Sequence, residues 1–408
     1  MIVIHLDYGN SKKIMKELCC DVHIVGGGLI GVASGYALAN LGFKVLISEK
    51  KPKHSQILHK KDTRTIAISE GTKKFLNEIN VWEKISRFAQ PIKNIQVIDR
   101  AIKNQINFDN NRRESNLGYI VNNNKVLDIF YNELGNIKNL NVLNNINFNK
   151  IENIEDSILL YSNRYLINSN LLISADGKRS AIRNYLKTPI FKKNYKKNAL
   201  VLTFTHTEDH NKTAYEFFYK KGPLAILPMK NINNKFASSI VWTNDKEYLN
   251  NIFNQNETNI INLLNETTRG VIGRVDKIIT KQMFPLSAHL NTKFYENRTV
   301  YVGDSAHSFH PIAGQGWNLG MKDVKALYQI SKKYRNLGIE IGDGNFCKEY
   351  NKETFFEAYR LYQITDKLDK IFQKDNIYHR ALRSIGIKFI ERNKLIKEKI
   401  SDFAMGLN

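Results

Sequence analysis

The sequence predicts an α/β protein: a Rossmann-like dinucleotide-binding unit, an interleaved mixed or antiparallel β-sheet, and a set of C-terminal helices. Three observations predict it. Near the start, an apolar strand (Val22 to Val25) runs into a glycine-rich turn and then an apolar helix. Several strand-like runs separated by turn residues fill 199–243. Helical texture rich in Lys and Tyr takes over after Asn318. With 408 residues and 42% hydrophobic content, the chain can bury two or three cores, or one large interleaved one.

The elements follow in order. Residues 1–20 read as a short extension. Val22-His23-Ile24-Val25 reads as a buried strand, Leu29 to Leu41 as a helix closed by Gly42, and Lys44 to Ser48 as a second strand. Together they make a βαβ unit of about 30 residues, the size of one crossover. Residues 62–90 read as helical, with Trp82 and Phe88 on an apolar face. Ile95 to Ile98 is a strand, 103–116 a polar loop, and 123–136 a helix. Short strands follow at Leu140 to Leu143, Ile158 to Tyr161 and Asn170 to Ser174. Ala199 to Thr205, Thr213 to Tyr219, Leu224 to Leu227 and Ala237 to Thr243 suggest an antiparallel sheet, a second layer inserted into the nucleotide-binding unit. After a short helix at 258–265, Val300 to Val302 is a buried strand leading into a second glycine-rich turn.

Composition excludes several classes. The cysteines, Cys19, Cys20 and Cys347, make no disulfide framework and no zinc pattern, which suits a reducing compartment. No run of 18 apolar residues exists, and the lysines near the N-terminus follow its short apolar stretch rather than precede it, so neither a transmembrane helix nor a signal peptide is expected. The cytoplasm is the expected location, with a peripheral contact on the cytoplasmic face of the inner membrane as an added reading. The net charge is +22. Its scatter through a Lys-, Asn- and Ile-rich chain favours compositional drift over an anionic partner, and no basic-aromatic module indicates nucleic acid.

Gly26-Gly27-Gly28-Leu29-Ile30-Gly31 fits G-x-G-x-x-G between a strand and a helix, with an acidic residue, Glu49, ending the next strand about 20 residues on. Gly26 permits the tight turn, Gly28 the approach of a pyrophosphate, and Gly31 close helix–sheet packing. Free N–H groups at the helix start complement phosphate. Glu49 can accept from both hydroxyls of a ribose and disfavours a 2′-phosphate, so the nucleotide is FAD or NAD rather than NADP. Ser174-Ala175-Asp176-Gly177 is a strand-to-turn segment, with Arg179 and Arg183 placed to complement phosphates. The third segment runs Gly303-Asp304-Ser305-Ala306-His307-Ser308-Phe309-His310-Pro311-Ile312-Ala313-Gly314-Gln315-Gly316. Asp304, just past a strand, can accept from a polyol hydroxyl. Pro311 breaks the chain, and Gly314 to Gly316 allow close backbone approach at a helix start whose partial positive charge suits a ring that becomes anionic on reduction. His307 and His310 read as structural hydrogen-bonding residues rather than bases.

Together these segments resemble the class A FAD-dependent aromatic monooxygenases, and within them the ubiquinone-biosynthesis hydroxylase family. Asp62-Thr63-Arg64-Thr65-Ile66-Ala67, Leu117-Gly118-Tyr119, Gly222-Pro223-Leu224-Ala225-Ile226-Leu227-Pro228, Ser239-Ile240-Val241-Trp242-Thr243 and Ala404-Met405-Gly406 extend the resemblance over roughly 21–408. It implies FAD, with Gly26, Gly28 and Gly31 on the pyrophosphate, Glu49 on the ribose, Arg64 on the nucleotide portion, Asp176 and Gly177 in the motif that handles FAD and NAD(P)H, Asp304 on the ribityl chain, and Pro311, Gly314, Gln315 and Gly316 along the isoalloxazine. A helical Asn is also implied; the run Asn122-Asn123-Asn124 leaves its register open, with Asn124 preferred. The implied division is an N-terminal extension (1–20), a FAD-binding domain in three parts (21–90, 117–185, 289–345), a substrate domain in two (91–116, 186–288), and a C-terminal helical region (346–408).

The implied reaction is hydroxylation of a polyprenylated phenol with NAD(P)H, dioxygen and a flavin C4a-hydroperoxide. Such chemistry needs a dry apolar cavity. Its expected wall is the inserted sheet, with Phe218, Pro228, Met229 and Trp242 as candidates beside Phe217 and Leu227. The absence of Arg between 184 and 268 mildly favours a neutral substrate over a soluble aromatic acid. Two alternatives stand beside this reading: a class A hydroxylase of another aromatic, and a non-catalytic flavoprotein subunit of a biosynthetic complex. The basic, apolar segment Ile385 to Phe403 is a candidate for contact with an anionic membrane, and other ubiquinone-biosynthesis proteins are candidate partners.

Overall fold

A computed structural model describes residues 3–8, 11–52, 64–100, 102, 104–109, 115–268, 270–309, 314–373 and 377–407. β1 (Val3–Tyr8) and β2 (Ser11–Val25) form an antiparallel hairpin, so the strand expected at Val22 is the last part of a longer one. The segment expected as an extension is thereby largely strand. α1 (Leu29–Asn40) and β3 (Val45–Glu49) complete the βαβ unit. The stretch expected to be helical throughout is divided into β4 (Thr65–Ser69), α2 (Glu70–Glu78), α3 (Trp82–Ser86) and β5 (Gln90–Ile92). The Ser69 hydroxyl accepts from Thr72 N at 3.2 Å and caps α2, which is what stops the strand there. Trp82 is buried as expected, whereas Phe88 is exposed.

β6 (Asn94–Asp99) is followed by β7 (Asn104–Asp109), so part of the expected loop is strand. β8 (Gly118–Asn122), α4 (Asn123–Leu134), β9 (Leu140–Asn144), β10 (Phe148–Asn153), β11 (Ile158–Ser162), β12 (Tyr165–Ser174) and α5 (Ala181–Tyr185) come next. Then β13 (Ile190–His206), β14 (Thr213–Tyr219), β15 (Gly222–Ile232) and β16 (Lys235–Asp245) run back and forth. α6 (Lys246–Phe253) and α7 (Glu257–Thr268) lead to the long β17 (Val275–Asn291). β18 (Tyr295–Glu296), β19 (Thr299–Tyr301), a 3₁₀ turn (Gly303–Ser305) and β20 (His307–Ser308) precede α8 (Gln315–Asn336). α9 (Gly344–Gln373), α10 (Ile377–Arg392) and α11 (Lys394–Ala404) finish the chain.

β19, β12, β2, β3 and β9 pair in parallel, in that order, with β10 and β11 added antiparallel beyond the start of β12. Val22, Ile24, Ile47, Leu172 and Val300 are fully buried, and the central strands read as near-continuous apolar runs. Helices cover both faces of such a sheet, so neither side needs polar residues. α1 is buried from Gly31 through Ala39, which explains why it is apolar all round rather than on one stripe.

The second sheet runs β20-β17-β13-β16-β15-β14-β6-β7, antiparallel except for β14 beside β6. One face is closed by α6 and α7 over Leu200, Phe204, Phe217, Leu224, Ile240 and Trp242. The other face meets a small sheet, β4-β8-β5, through Ile92, Ile120, Leu227, Met229 and Met405. The C-terminus therefore closes on the boundary between the sheets: Gly71 N donates to Met405 O at 2.8 Å.

Candidate active site

Parallel pairing brings four strand ends to one edge. Val25 lies beside Ser48 and Ser174, and Ser174 beside Tyr301. Gly26–Gly28, Glu49, Asp176–Gly177 and Gly303–Asp304 all emerge there, so three segments far apart in sequence line one crevice. Open α/β sheets bind ligands at this place, beyond the carboxyl ends of their strands.

Gly26, at φ +116, and Gly31 are packing positions: a Cβ would lie 2.3 Å from Ala175 O at the first and 1.9 Å from Gly26 O at the second. Gly28 differs. It is the N-cap of α1, makes no side-chain cap, and a Cβ there would meet nothing within 4 Å. The first turn of α1 carries no acidic side chain, and no side chain caps its N–H groups. Glu49 Oε2 accepts from Gly27 N at 2.7 Å and Oε1 from Lys51 N at 2.9 Å. Each oxygen keeps a second lone pair for a hydroxyl donor. The Tyr131 hydroxyl donates to Gly27 O at 2.8 Å and fixes the loop from behind.

Asp176 is engaged inside the protein. Its Oδ1 accepts from the Ser174 hydroxyl at 2.7 Å, and its Oδ2 from Ala181 N at 2.6 Å and Ile182 N at 3.2 Å. It shapes the turn and the start of α5, leaving Gly177 (φ +80, open on its Cβ side) to face the crevice. Arg183 is likewise not available to phosphate. It is buried and donates to His289 Nε2 at 2.9 Å, Ser305 O at 3.0 Å and Lys178 O at 2.9 Å. Burial and Arg183 hold the His289 imidazole down to about 3, so it stays neutral and accepts. This latch ties β17 to the second and third glycine segments; a buried basic residue gave no sequence sign of it.

Asp304 is exposed to solvent yet ringed by protein, the signature of a side chain at the floor of a recess. Crowding raises its carboxyl, while His307, Lys178 and Arg64 pull it back. His307 is structural, as expected: its Nε2 donates to Asp323 Oδ2 at 2.7 Å, and the same oxygen accepts from Gly303 N at 2.8 Å. Pro311 and His310 lie outside the described residues. Gly314, in the left-handed region at φ +61, is the N-cap of α8 and makes no side-chain cap. A Cβ on Gly316 would meet nothing within 4 Å. Asn318 anchors this helix start by donating to Ala67 O and accepting from Ser69 N and the Thr72 hydroxyl, at 2.8, 2.9 and 2.9 Å. Gln315 is turned to the C-terminus, where its amide donates to Ala404 O at 3.1 Å. Arg64 lies 5.0 Å over the Phe284 ring. Of the asparagines, Asn122 caps α4 by accepting from Asn124 N at 2.9 Å, and Asn124 sits in the first turn.

The sheet residues divide by face. Register pairs Leu224 and Leu200 with Trp242, and Phe217 with Leu224. Trp242 therefore lies on the side packed by α6 and α7, stacked edge-on against Tyr248, and cannot wall a cavity on the opposite side. Pro228 has the same parity, opposite Ser238. Met229 and Phe218 are on the side turned to the crevice; Met229 packs toward the small sheet, and Phe218 stacks on Phe372 at 3.7 Å. On this side β13 presents Ala199, Val201, Thr203 and Thr205, and β16 presents Ala237, Ser239, Val241 and Thr243, with no cation among them; Lys197 and Asp245 have the same parity at the strand ends.

Comparison with known proteins places this architecture. Residues 19–334 match the FAD binding domain family. The chain is 28% identical over 399 residues to the ubiquinone hydroxylase UbiL of Rhodospirillum rubrum, covering 98% of this chain and 91% of that protein. It is 25% identical to the mitochondrial ubiquinone biosynthesis monooxygenase COQ6 of Danio rerio, over 98% and 92% of the two chains. Among solved structures, p-nitrophenol 4-monooxygenase PnpA from Pseudomonas putida superposes with a TM-score of 0.77 at 14% identity, covering 96% and 98%, which shows a shared fold. With the glycine cradles, the uncapped helix starts and the match over 19–334 all in register, the chain belongs to the FAD-binding domain family and has the fold of the FAD-dependent monooxygenases.

Proposed function

We propose that this FAD-dependent monooxygenase hydroxylates the aromatic ring of a polyprenylated phenol in ubiquinone biosynthesis, with NAD(P)H as electron donor. The observation that carries the reading is the meeting of two uncapped, glycine-lined helix starts with a stretch of the eight-stranded sheet, 199–205 against 237–243, that presents no cation on its crevice side. The similarity to proteins named ubiquinone hydroxylase and ubiquinone biosynthesis monooxygenase supports the substrate class.

The residues fit FAD. The open Cβ space at Gly28, Gly177 and Gly316 leaves room for a ligand against the backbone. The N-terminus of α1 would hold a pyrophosphate through backbone N–H groups and helix polarity. Glu49 would accept from a ribose diol and Asp304 from the polyol chain. Arg64 and Lys178, both acting on Asp304, would balance phosphate charge. The start of α8 would stabilise negative charge gathering on the reduced ring. Bound and reduced by NAD(P)H, the flavin supplies the electrons that activate dioxygen for insertion of one atom into the ring. The chain's own contribution is position and dryness: the sheet side bearing Val201, Ala225 and Val241 would hold the aromatic ring and exclude water.

A long prenyl chain resides in a bilayer, and the C-terminal helices suit a surface contact. Ile385, Phe389 and Leu395 are 67%, 55% and 72% exposed, and Lys388, Arg392, Lys394 and Lys399 are exposed with them. Apolar side chains beside cations in this pattern favour an anionic membrane face. Among the described residues no helix is long and apolar enough to cross a membrane.

The test uses purified holoprotein, NADH or NADPH, a prenylated phenol and ¹⁸O₂. The expected product carries one ¹⁸O on the ring. Substrate-independent NAD(P)H oxidation without label in the phenol would refute the reading.

A further inference from the structure

On the side of the eight-stranded sheet turned to the crevice, Asp99 and Asp245 lie at strand ends and pair with Arg383 and Lys221, whereas Glu216 lies mid-strand among small and apolar side chains. Cross-strand register places Val97, Glu216, Ala225, Val241, Val201 and Gln282 in a single row across β6, β14, β15, β16, β13 and β17. To one side of this row the Phe218–Phe372 stack closes the wall. To the other, Leu227 and Met229 are closed by the small sheet and Met405. Between these closures Val97, Glu216, Ala225 and Val241 are only half-buried. The next row on the same side ends at Phe284, opposite Ala199 and under Arg64, which in turn acts on Asp304. The strip thus leads from Phe284 on β17, under Arg64, across β13, β16 and β15 to Glu216 on β14.

Among the described residues Glu216 has no hydrogen bond and no ion pair. Natural sheets rarely place a carboxyl inward unless it meets something. Among the described side chains, Asp99 on β6 is engaged with Arg383 of α10 at 2.8 Å and Asp366 on α9 with Lys193 and Lys370, while Arg100, at the end of β6, lies 4.4 Å over the Phe217 ring on the other face. β15 offers only Pro223, Ala225 and Leu227 on this side. Burial alone therefore acts on Glu216 and pushes its carboxyl up to about 8, close enough to neutrality for it to give or take a proton at working pH.

Resting on the hydroxylase reading, we infer that Glu216 hydrogen-bonds the phenolic hydroxyl of the substrate and receives its proton when the ring is activated. The phenol O–H bond breaks, the proton forms the neutral Glu216 carboxylic acid, and the electron pair stays on the phenol oxygen. The ring becomes more electron-rich at the positions that accept an electrophilic oxygen. Glu216 also fixes which end of the substrate lies deep, because the rest of the strip is apolar and suits the prenyl chain.

The experiment compares wild type, Glu216→Gln and Glu216→Asp holoproteins with a phenol bearing one five-carbon prenyl chain. FAD content and thermal midpoint check folding. Ultraviolet difference spectra follow ionisation of the bound phenol, and turnover is measured from pH 6 to 9. Wild type should show a phenolate band and a rate that both rise with pH through about 8. Glu216→Gln should bind the phenol within about threefold of wild type, lose the band, and lose about 30-fold or more in turnover. Glu216→Asp should keep part of both, since it retains a carboxyl with shorter reach. A phenolate band and full rate in Glu216→Gln overturn the inference while leaving the hydroxylase reading intact. Failure of wild type to bind or hydroxylate the phenol overturns both. Should Glu216→Gln not fold, a Glu216→Asp protein with an unshifted pH profile and full turnover still overturns it.

Discussion

Gly28 and Gly31 lie one helical turn apart in the same fingerprint, yet they should respond to alanine in opposite ways. At Gly31 the new Cβ would sit 1.9 Å from Gly26 O, against about 3.4 Å for an ordinary contact, so α1 must move off the strand by more than an ångström. Overpacking of this kind costs about 1–3 kcal/mol. At Gly28 the Cβ meets no protein atom within 4 Å, and φ −74 with ψ 177 is comfortable for alanine. The reduced entropy of the unfolded chain and the poorer N-cap nearly offset each other, leaving a change within about 0.5 kcal/mol. The same Cβ fills the space assigned to the pyrophosphate, so FAD affinity should fall at least tenfold, about 1.4 kcal/mol. Urea unfolding of the FAD-stripped proteins gives the first quantity, and quenching of FAD fluorescence on titration gives the second. The reasoning is refuted if Gly28→Ala lowers the urea midpoint as much as Gly31→Ala does, with FAD binding unchanged.

Further outcomes follow from other contacts. Asp323→Leu strips His307 Nε2 and Gly303 N of one shared acceptor and should cost about 2–6 kcal/mol, at about 1–3 kcal/mol for each orphaned donor, with FAD content falling because the Asp304 turn loosens; urea unfolding and absorbance at the flavin band report both. Trp242→Ala should cost about 3–5 kcal/mol, yet leave KM for the phenol within about twofold in the protein that still folds, because the indole lies on the face packed by α6 and α7; a tenfold rise in KM would return Trp242 to the cavity. Glu216 gives stability a pH dependence of known sign. Its folded value, about 8, lies above the 4.5 of an unburied glutamate, so its contribution is full below about 4.5 and is lost as pH rises through 8. The ceiling is about 5 kcal/mol, and partial solvent access lowers this to about 2–3 kcal/mol. Urea midpoints of wild type and Glu216→Gln should therefore diverge between pH 5 and 9, with wild type the weaker at the alkaline end; parallel curves would contradict the desolvated site.

The parts of the fold legible in the sequence are those where local pattern and burial agree. Val22 to Val25, Leu29 to Leu41 and Lys44 to Ser48 could be read because a buried parallel strand is a bare apolar run and glycines mark its turn. β7 was illegible because Asn104–Asp109 forms the edge of its sheet, where its polar side chains look like a loop and α10, rather than another strand, meets it: Asn107 N donates to Glu391 Oε2 at 3.2 Å. β17 was hidden by Pro285, which disqualifies a central strand; it is tolerated because β13 bulges between Asn194 and Asn198, opposite that position. In the site, glycines and acids at strand ends were visible as motifs. The faces of Phe218, Pro228, Met229 and Trp242 were not, since a shift of one residue in register reverses every side chain of a strand. Glu216 left one usable sign: an acid at the inward parity of Thr213–Tyr219, between Ala214 and Phe218. Arg183, His289 and Asp323 left none, because a buried latch made between distant segments has no local pattern.

The most direct measurement is lipid mass spectrometry on cells lacking this gene and on the same cells with it restored. The account predicts that a polyprenylated phenol one ring oxygen short of the next intermediate accumulates without the gene, that ubiquinone falls, and that restoration reverses both. An unchanged ubiquinone level with no accumulating prenylated phenol would contradict it.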